Sequence, residues 1–99
     1  MKSRIEKYFI NKRFTFFGGI KKGQPDGIGI RFLKDTCVEI GRFKKGVIEG
    51  HGRMIFGKKH IFIGQFYQGV MDKKGFFFNG ENQSWFMFNE GNLLFFKYS

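Results

Sequence analysis

Apolar and glycine positions along this chain recur in a fixed step instead of following a helical face. Gly18, Gly41 and Gly64 lie 23 residues apart, and in step with them run Gly23, Gly46 and Gly69, then Gly27 and Gly50, then Gly29, Gly52 and Gly75. These columns hold eleven of the fifteen glycines, with Lys73 the one substitution. Phe16, Phe62 and Trp85 share a column in which Glu39 is the exception, Ile20, Phe43 and Phe66 fill a second, and Phe32, Ile55 and Phe78 a third. A sustained step of this length marks a repeat architecture. Alternation around the aromatics has the period of two of a strand.

Each unit therefore reads as a β-hairpin, with repeats over about residues 16–38, 39–61 and 62–84. In the second copy Glu39–Phe43 forms the outgoing strand, Lys44–Ile48 a turn in which Gly46 is free to take positive φ, and Glu49–Phe56 the return strand. Asn79-Gly80-Glu81 supplies a turn between copies. The leading segment, residues 1–15, feeds a strand over Lys7–Phe17. Residues 85–99 read as a degenerate fourth hairpin, Trp85–Phe88 against Leu93–Phe96, with Met87 in place of the first glycine. The predicted fold is all-β: one domain, residues 1–99, of tandem antiparallel hairpins in a single curved sheet.

Glycine inside a strand weakens it unless something needs the space. Gly50 and Gly52 point to one face, as do Gly41 and Phe43, so a ring such as Phe43 or Phe66 can lie over neighbouring glycine backbone. The glycines at 18, 23, 27, 29, 41, 46, 50, 52, 64, 69 and 75 are accordingly structural. Disordered linker lacks such interleaved apolar columns.

This pattern resembles the MORN (membrane occupation and recognition nexus) repeat family, whose unit runs approximately Tyr-x-Gly-x-Trp/Phe-x-x-Gly-x-x-x-Gly-x-Gly. The likeness covers about Phe16–Phe78: Phe16-Phe17-Gly18, Gly41-Arg42-Phe43 through Gly52, and Phe62-Ile63-Gly64-Gln65-Phe66 through Gly75. Departures are Ile20 and Glu39 at aromatic positions and Lys73 at a glycine. The resemblance implies a groove-like sheet that docks proteins or, in some members, contacts acidic phospholipid, and it implies no catalysis.

Composition narrows the picture further. Phe occurs 16 times and alanine not at all, which disfavours a helical bundle. The longest stretch without Asp, Glu, Lys or Arg, His60–Met71, is far shorter than the roughly 20 residues of a membrane-spanning helix, so no transmembrane segment is expected. Residues 1–15 lack the apolar core of a signal peptide. Cys37 is the single cysteine, and with only His51 and His60 it forms no ligand-spaced metal cluster. Neither histidine has a Ser or Asp partner at a recognised spacing, and the glycines lack the strand–loop–helix order of a nucleotide site. No enzyme activity, cofactor or metal is expected.

The formal net charge of +10 and pI near 10.0 predict an anionic counterpart. Lys21-Lys22 and Lys44-Lys45 both precede a turn glycine, so two turns set four lysines along one margin as candidate anion-facing residues. Solvated turns, whose lysines discourage edge aggregation, are the alternative. The apolar side points to a partner more strongly. Phe17, Ile40, Ile63 and Phe86 are read on the face opposite Phe43 and Phe66, and Trp85, Phe86, Phe88, Phe95 and Phe96 crowd the last hairpin. Either the termini, including Tyr8, Phe9 and Leu94–Phe96, fold back over one face, or other protein subunits cover it.

The favoured expectation is a non-catalytic accessory subunit docked in a large assembly. Abundant Phe, Lys, Ile and Asn with no Ala resembles products of A/T-rich mitochondrial genomes, which makes the mitochondrion the expected location and the NADH dehydrogenase complex (complex I) the expected assembly. A mitochondrial ribosomal protein binding rRNA and a peripheral binder of anionic phospholipid headgroups are the alternatives.

Overall fold

The computed structural model describes residues 7–10, 13–33, 37–80 and 82–98. Nine strands form one sheet in sequence order, every neighbouring pair antiparallel. β1 (Lys7–Ile10) is followed by four hairpins: β2 (Phe14–Lys21) with β3 (Gln24–Leu33), β4 (Cys37–Lys44) with β5 (Val47–Phe56), β6 (His60–Tyr67) with β7 (Val70–Asn79), and β8 (Asn82–Asn89) with β9 (Asn92–Tyr98). The expected leading strand over Lys7–Phe17 is thus two strands, its second half being the start of the first hairpin.

Each hairpin closes with two residues, a tighter turn than Lys44–Ile48. In the second, Lys45 (φ 51°) and Gly46 (φ 90°) both take positive φ between the paired Lys44 and Val47, the turn whose twist matches that of the strands. The same geometry recurs at Lys22-Gly23, Gln68-Gly69 and Glu90-Gly91. Past each of the first three turns the return strand carries two extra residues. Gly18 pairs with Gly29 but Ile20 with Pro25, and Gly41 with Gly52 but Phe43 with Ile48. Such bulges bend the strands. Gly27, Gly50 and Lys73 occupy the corresponding bulge position with φ 97°, 79° and 62°.

The bends let a single sheet make its own core. A cross-strand row of glycines, Gly18, Gly29, Gly41, Gly52 and Gly64, runs side by side over five strands, with Gly75 next in line against Gly64. The ring of Phe16 lies over Gly18 and Gly29, that of Phe62 over Gly64 and Gly75, and Ile48 Cδ1 over Gly41 and Gly52. The rings on the glycines are therefore chiefly those of the first aromatic column, and not Phe43 and Phe66 as expected. Phe43 and Phe66 instead come in edge-on, with centroids 4.9 Å from Phe16 and 5.8 Å from Phe62. Phe16, Phe43, Ile48, Phe62 and Phe66 are all buried.

Glu39 disrupts nothing. It is buried beside Arg31, whose Nε donates to its Oε1 at 2.7 Å while Nη1 donates to the Gly46 carbonyl at 2.9 Å. The guanidinium also stacks 4.8 Å from the Phe14 centroid and 5.1 Å from that of Phe43. With the ion pair in place of the ring, Ile48 takes over the cover of the middle glycines.

Two glycine roles separate under substitution. Gly75→Ala places a methyl inside the Phe62 ring, and the denaturation midpoint is expected to fall by the equivalent of about 1–3 kcal/mol. Lys73→Gly relieves a positive φ on an exposed residue and is expected to raise stability by about 1 kcal/mol. Equal midpoints in urea for both variants and the parent chain would refute this division.

Candidate functional site

Two surfaces gather the chemistry. At the hairpin tips, each turn is tied to the one before it. The Gly46, Gly69 and Gly91 amides donate to the carbonyls of Pro25, Ile48 and Met71 at 2.9, 3.0 and 2.8 Å. Alongside, the amides of Lys45, Gln68 and Glu90 donate to the carboxylates of Asp26, Glu49 and Asp72 at 3.4, 2.8 and 2.9 Å. Asp26, Glu49 and Asp72 stand one repeat apart and cap turn amides that have positive φ and no strand partner. This acidic column is visible in the sequence but carries no weight there until the turns are known to stack.

Stacking of the first two tips brings Lys21, Lys22, Lys44 and Lys45 together, with Arg42 and Asp26, around a cleft of about 370 Å³. All four lysines are exposed. The later tips carry Tyr67-Gln68 and Asn89-Glu90, so the basic margin ends after the second hairpin.

The second surface is the back of the sheet, opposite the glycine row. Phe17, Ile30, Ile40, Arg53, Ile63, Phe76, Trp85 and Lys97 form one continuous cross-strand row. Beside it, toward the connections between hairpins, runs Phe32, Val38, Ile55, Ile61 and Phe78. Toward the tips stand Arg42, His51 and Lys74, all exposed. Phe17 is 40% exposed, Phe32 43% and Phe76 36%. Lys74 Nζ lies 4.9 Å over Trp85 and 5.6 Å over Phe76.

Phe86 is on the opposite face from the one expected. It pairs with Gly75 and Phe96 in line with the glycine row, and its ring contacts Phe77 and Phe88. Phe88 packs on the core. The cause is the connection before β8. Leu33–Cys37 and Phe56–His60 each enclose three residues, whereas Asn79–Asn82 encloses two. Losing one residue reverses the face of each side chain along β8. The outgoing strand and turn of the fourth hairpin are thus a copy displaced by one, Phe88 following Phe66 and Gly91 following Gly69 by 22 residues, while its return strand carries one extra residue instead of two. Ser84, not Trp85, takes the column of Phe62, and Phe86, not Met87, the place of the first glycine. A search at a step of 22 would have found it.

Trp85 and Phe95 stay on the back face with centroids 5.6 Å apart. The last strand does not fold over either face: Leu94, Phe95 and Phe96 are 57%, 49% and 50% exposed at the edge of the sheet. The side chains of Tyr8 and Phe9 lie outside the described residues.

His60 forms a three-ring cluster with Phe56 and Phe77, with centroids 5.8 and 5.6 Å from its own and 5.8 Å from each other. His51 is exposed on the back face. Among the described residues no three of His, Cys, Asp and Glu converge as metal ligands, and no helix is long and apolar enough to cross a membrane. Burial pushes the Cys37 thiol up, Glu39 adds to the rise, and Arg31 opposes it. Neither protein-family models nor curated proteins match the chain.

The ion pair yields a test. Arg31→Met leaves Glu39 buried without its partner and is expected to cost about 3–5 kcal/mol, whereas Arg31→Met with Glu39→Leu is expected to stay within about 2 kcal/mol of the parent. Thermal midpoints of the three chains check this. Cys37 is expected to react with iodoacetamide at pH 8 more slowly than the same thiol in urea, because less of it is thiolate when folded.

Proposed function

We propose that this chain is a non-catalytic accessory subunit, a MORN-type hairpin sheet that works by docking other proteins within a large assembly. The observation that carries the reading is the back face with the last strand: Phe17, Phe32, Phe76 and Phe95 are exposed, and Ile40, Ile63 and Trp85 are only partly buried. Surfaces of this extent on a small domain serve contact with other chains, and an exposed edge such as β9 accepts a further strand. On composition, we place the chain in the mitochondrion, in a respiratory complex and specifically the NADH dehydrogenase complex. The lysine cleft supports a second reading, contact with anionic phospholipid or RNA.

Affinity purification of the tagged chain at 0.5 M salt, followed by mass spectrometry, tests the proposal. Subunits of one respiratory assembly are expected in fixed ratio. Ribosomal particles, or the chain alone, would overturn it. Phe32→Asp with Phe95→Asp changes two half-exposed side chains and is expected to block incorporation, since an unpaired buried carboxylate costs about 3–5 kcal/mol. Replacing Lys21, Lys22, Lys44 and Lys45 by Gln is expected to weaken incorporation only modestly, because exposed charges contribute little at that salt. The reverse ranking favours the anionic-surface reading.

A further inference from the structure

Resting on the docking reading, we propose that the back face seats an amphipathic α-helix of a partner protein whose apolar stripe is bordered by carboxylates. The face is itself amphipathic in two dimensions. Its apolar rows lie toward the connections between hairpins, and Arg42, Arg53 and Lys74 lie within or on the tip side of them. In the middle is a hollow of about 490 Å³, floored by Ile40, Ile63 and Phe76 and flanked by Arg53 and Lys74. Among the described residues no carboxylate lines it.

Every described acidic side chain is placed elsewhere. Asp26, Glu49 and Asp72 cap turn amides, Glu39 is buried against Arg31, and Glu90 sits in the last turn. Asp72 is two residues from Lys74, but its Oδ1 accepts from the Glu90 amide at the tip. Asp72 shares the tip-side row of His51 through Gln65 but is engaged by the Glu90 amide; none of the described carboxylates lines the hollow beside Arg53 and Lys74, and apolar burial beside these cations favours a partner bringing negative charge.

The secondary structure of that partner follows from the backbone. An extended segment satisfies its amides only at a sheet edge, whereas one laid on a face would bury unpaired N–H and C=O groups. A helix satisfies its own. Adjacent rows on one face are about 7 Å apart along the strands. A helix about 10 Å across therefore covers both apolar rows while its flank reaches the cations.

Photo-crosslinking in the native assembly tests this. A crosslinking amino acid replaces Ile63 or Phe76 in the tagged full-length chain, and the attached peptide is sequenced. The expected product is one segment with apolar residues at i, i+3, i+4 and i+7 and Asp or Glu beside them. Arg53→Glu with Lys74→Glu, both at exposed positions, is expected to lower the yield at least about tenfold, and reversing the partner's carboxylates to lysine to restore it. Crosslinks to lipid, to a basic or β-strand segment, or none at all would overturn the proposal, as would an unchanged yield in the reversed variant. Loss of all copurifying subunits from the parent chain would instead overturn the docking reading itself.

Discussion

A one-layer sheet has no second layer to bury its side chains against, and in this protein the missing layer is replaced by its own backbone. The row of glycines from Gly18 to Gly75 lets the rings of Phe16 and Phe62 lie on the strands themselves. The bulges after each turn then bring Phe43, Ile48 and Phe66 onto the same rings. Remove the glycines and the rings stand up into water. Remove the bulges and nothing reaches over them. Two sequence requirements, small residues in one column and residues tolerant of positive φ in another, are therefore distinct, although both are met mostly by glycine. Gly27 and Gly50 have open space where a Cβ would stand, whereas Gly29 and Gly75 do not.

The period of 23 exposed most of this architecture because each hairpin must repeat the same turn, bulge and glycine spacing for rows to align across strands. Fold class, hairpin order and three turn glycines are legible for that reason. What was hidden is what depends on counting one residue. The connection at Asn79–Asn82 is short by one, so the fixed step misassigned the fourth hairpin and put Phe86 on the wrong face. Glu39 was equally opaque. A carboxylate in an aromatic column signals irregularity until Arg31 is seen directly opposite in the neighbouring strand, and only the register β3 to β4 supplies that. Of the candidate surface residues, Phe17, Ile40, Ile63, Trp85 and Phe95 fall on the back face, and the four lysines meet because successive tips stack.

The fourth hairpin also departs from the pattern of the first three. Phe86 and Phe96 fill the line that glycines hold elsewhere, so the channel over which the rings lie is closed by side chains of its own row. The position after the turn that carries Asp26, Glu49 and Asp72 is occupied there by Leu94, which offers no carboxylate to a further turn. Leu94 and Phe96 thereby leave exposed apolar side chains on β9, which suits a strand covered by another chain.

Charge placement follows from the same ladder. Stacked tight turns with positive φ leave an amide at each tip facing the previous repeat, and a carboxylate is the side chain that satisfies it best. Of the five described acidic residues, Asp26, Glu49, Asp72 and Glu90 stand at the tips and Glu39 in the core. A chain with 18 basic and 8 acidic residues then shows its excess charge both at the first two tips and away from the ladder. The back face receives cations among apolar rows, and its affinity for an acid-bordered apolar partner follows from how the hairpins are held to one another.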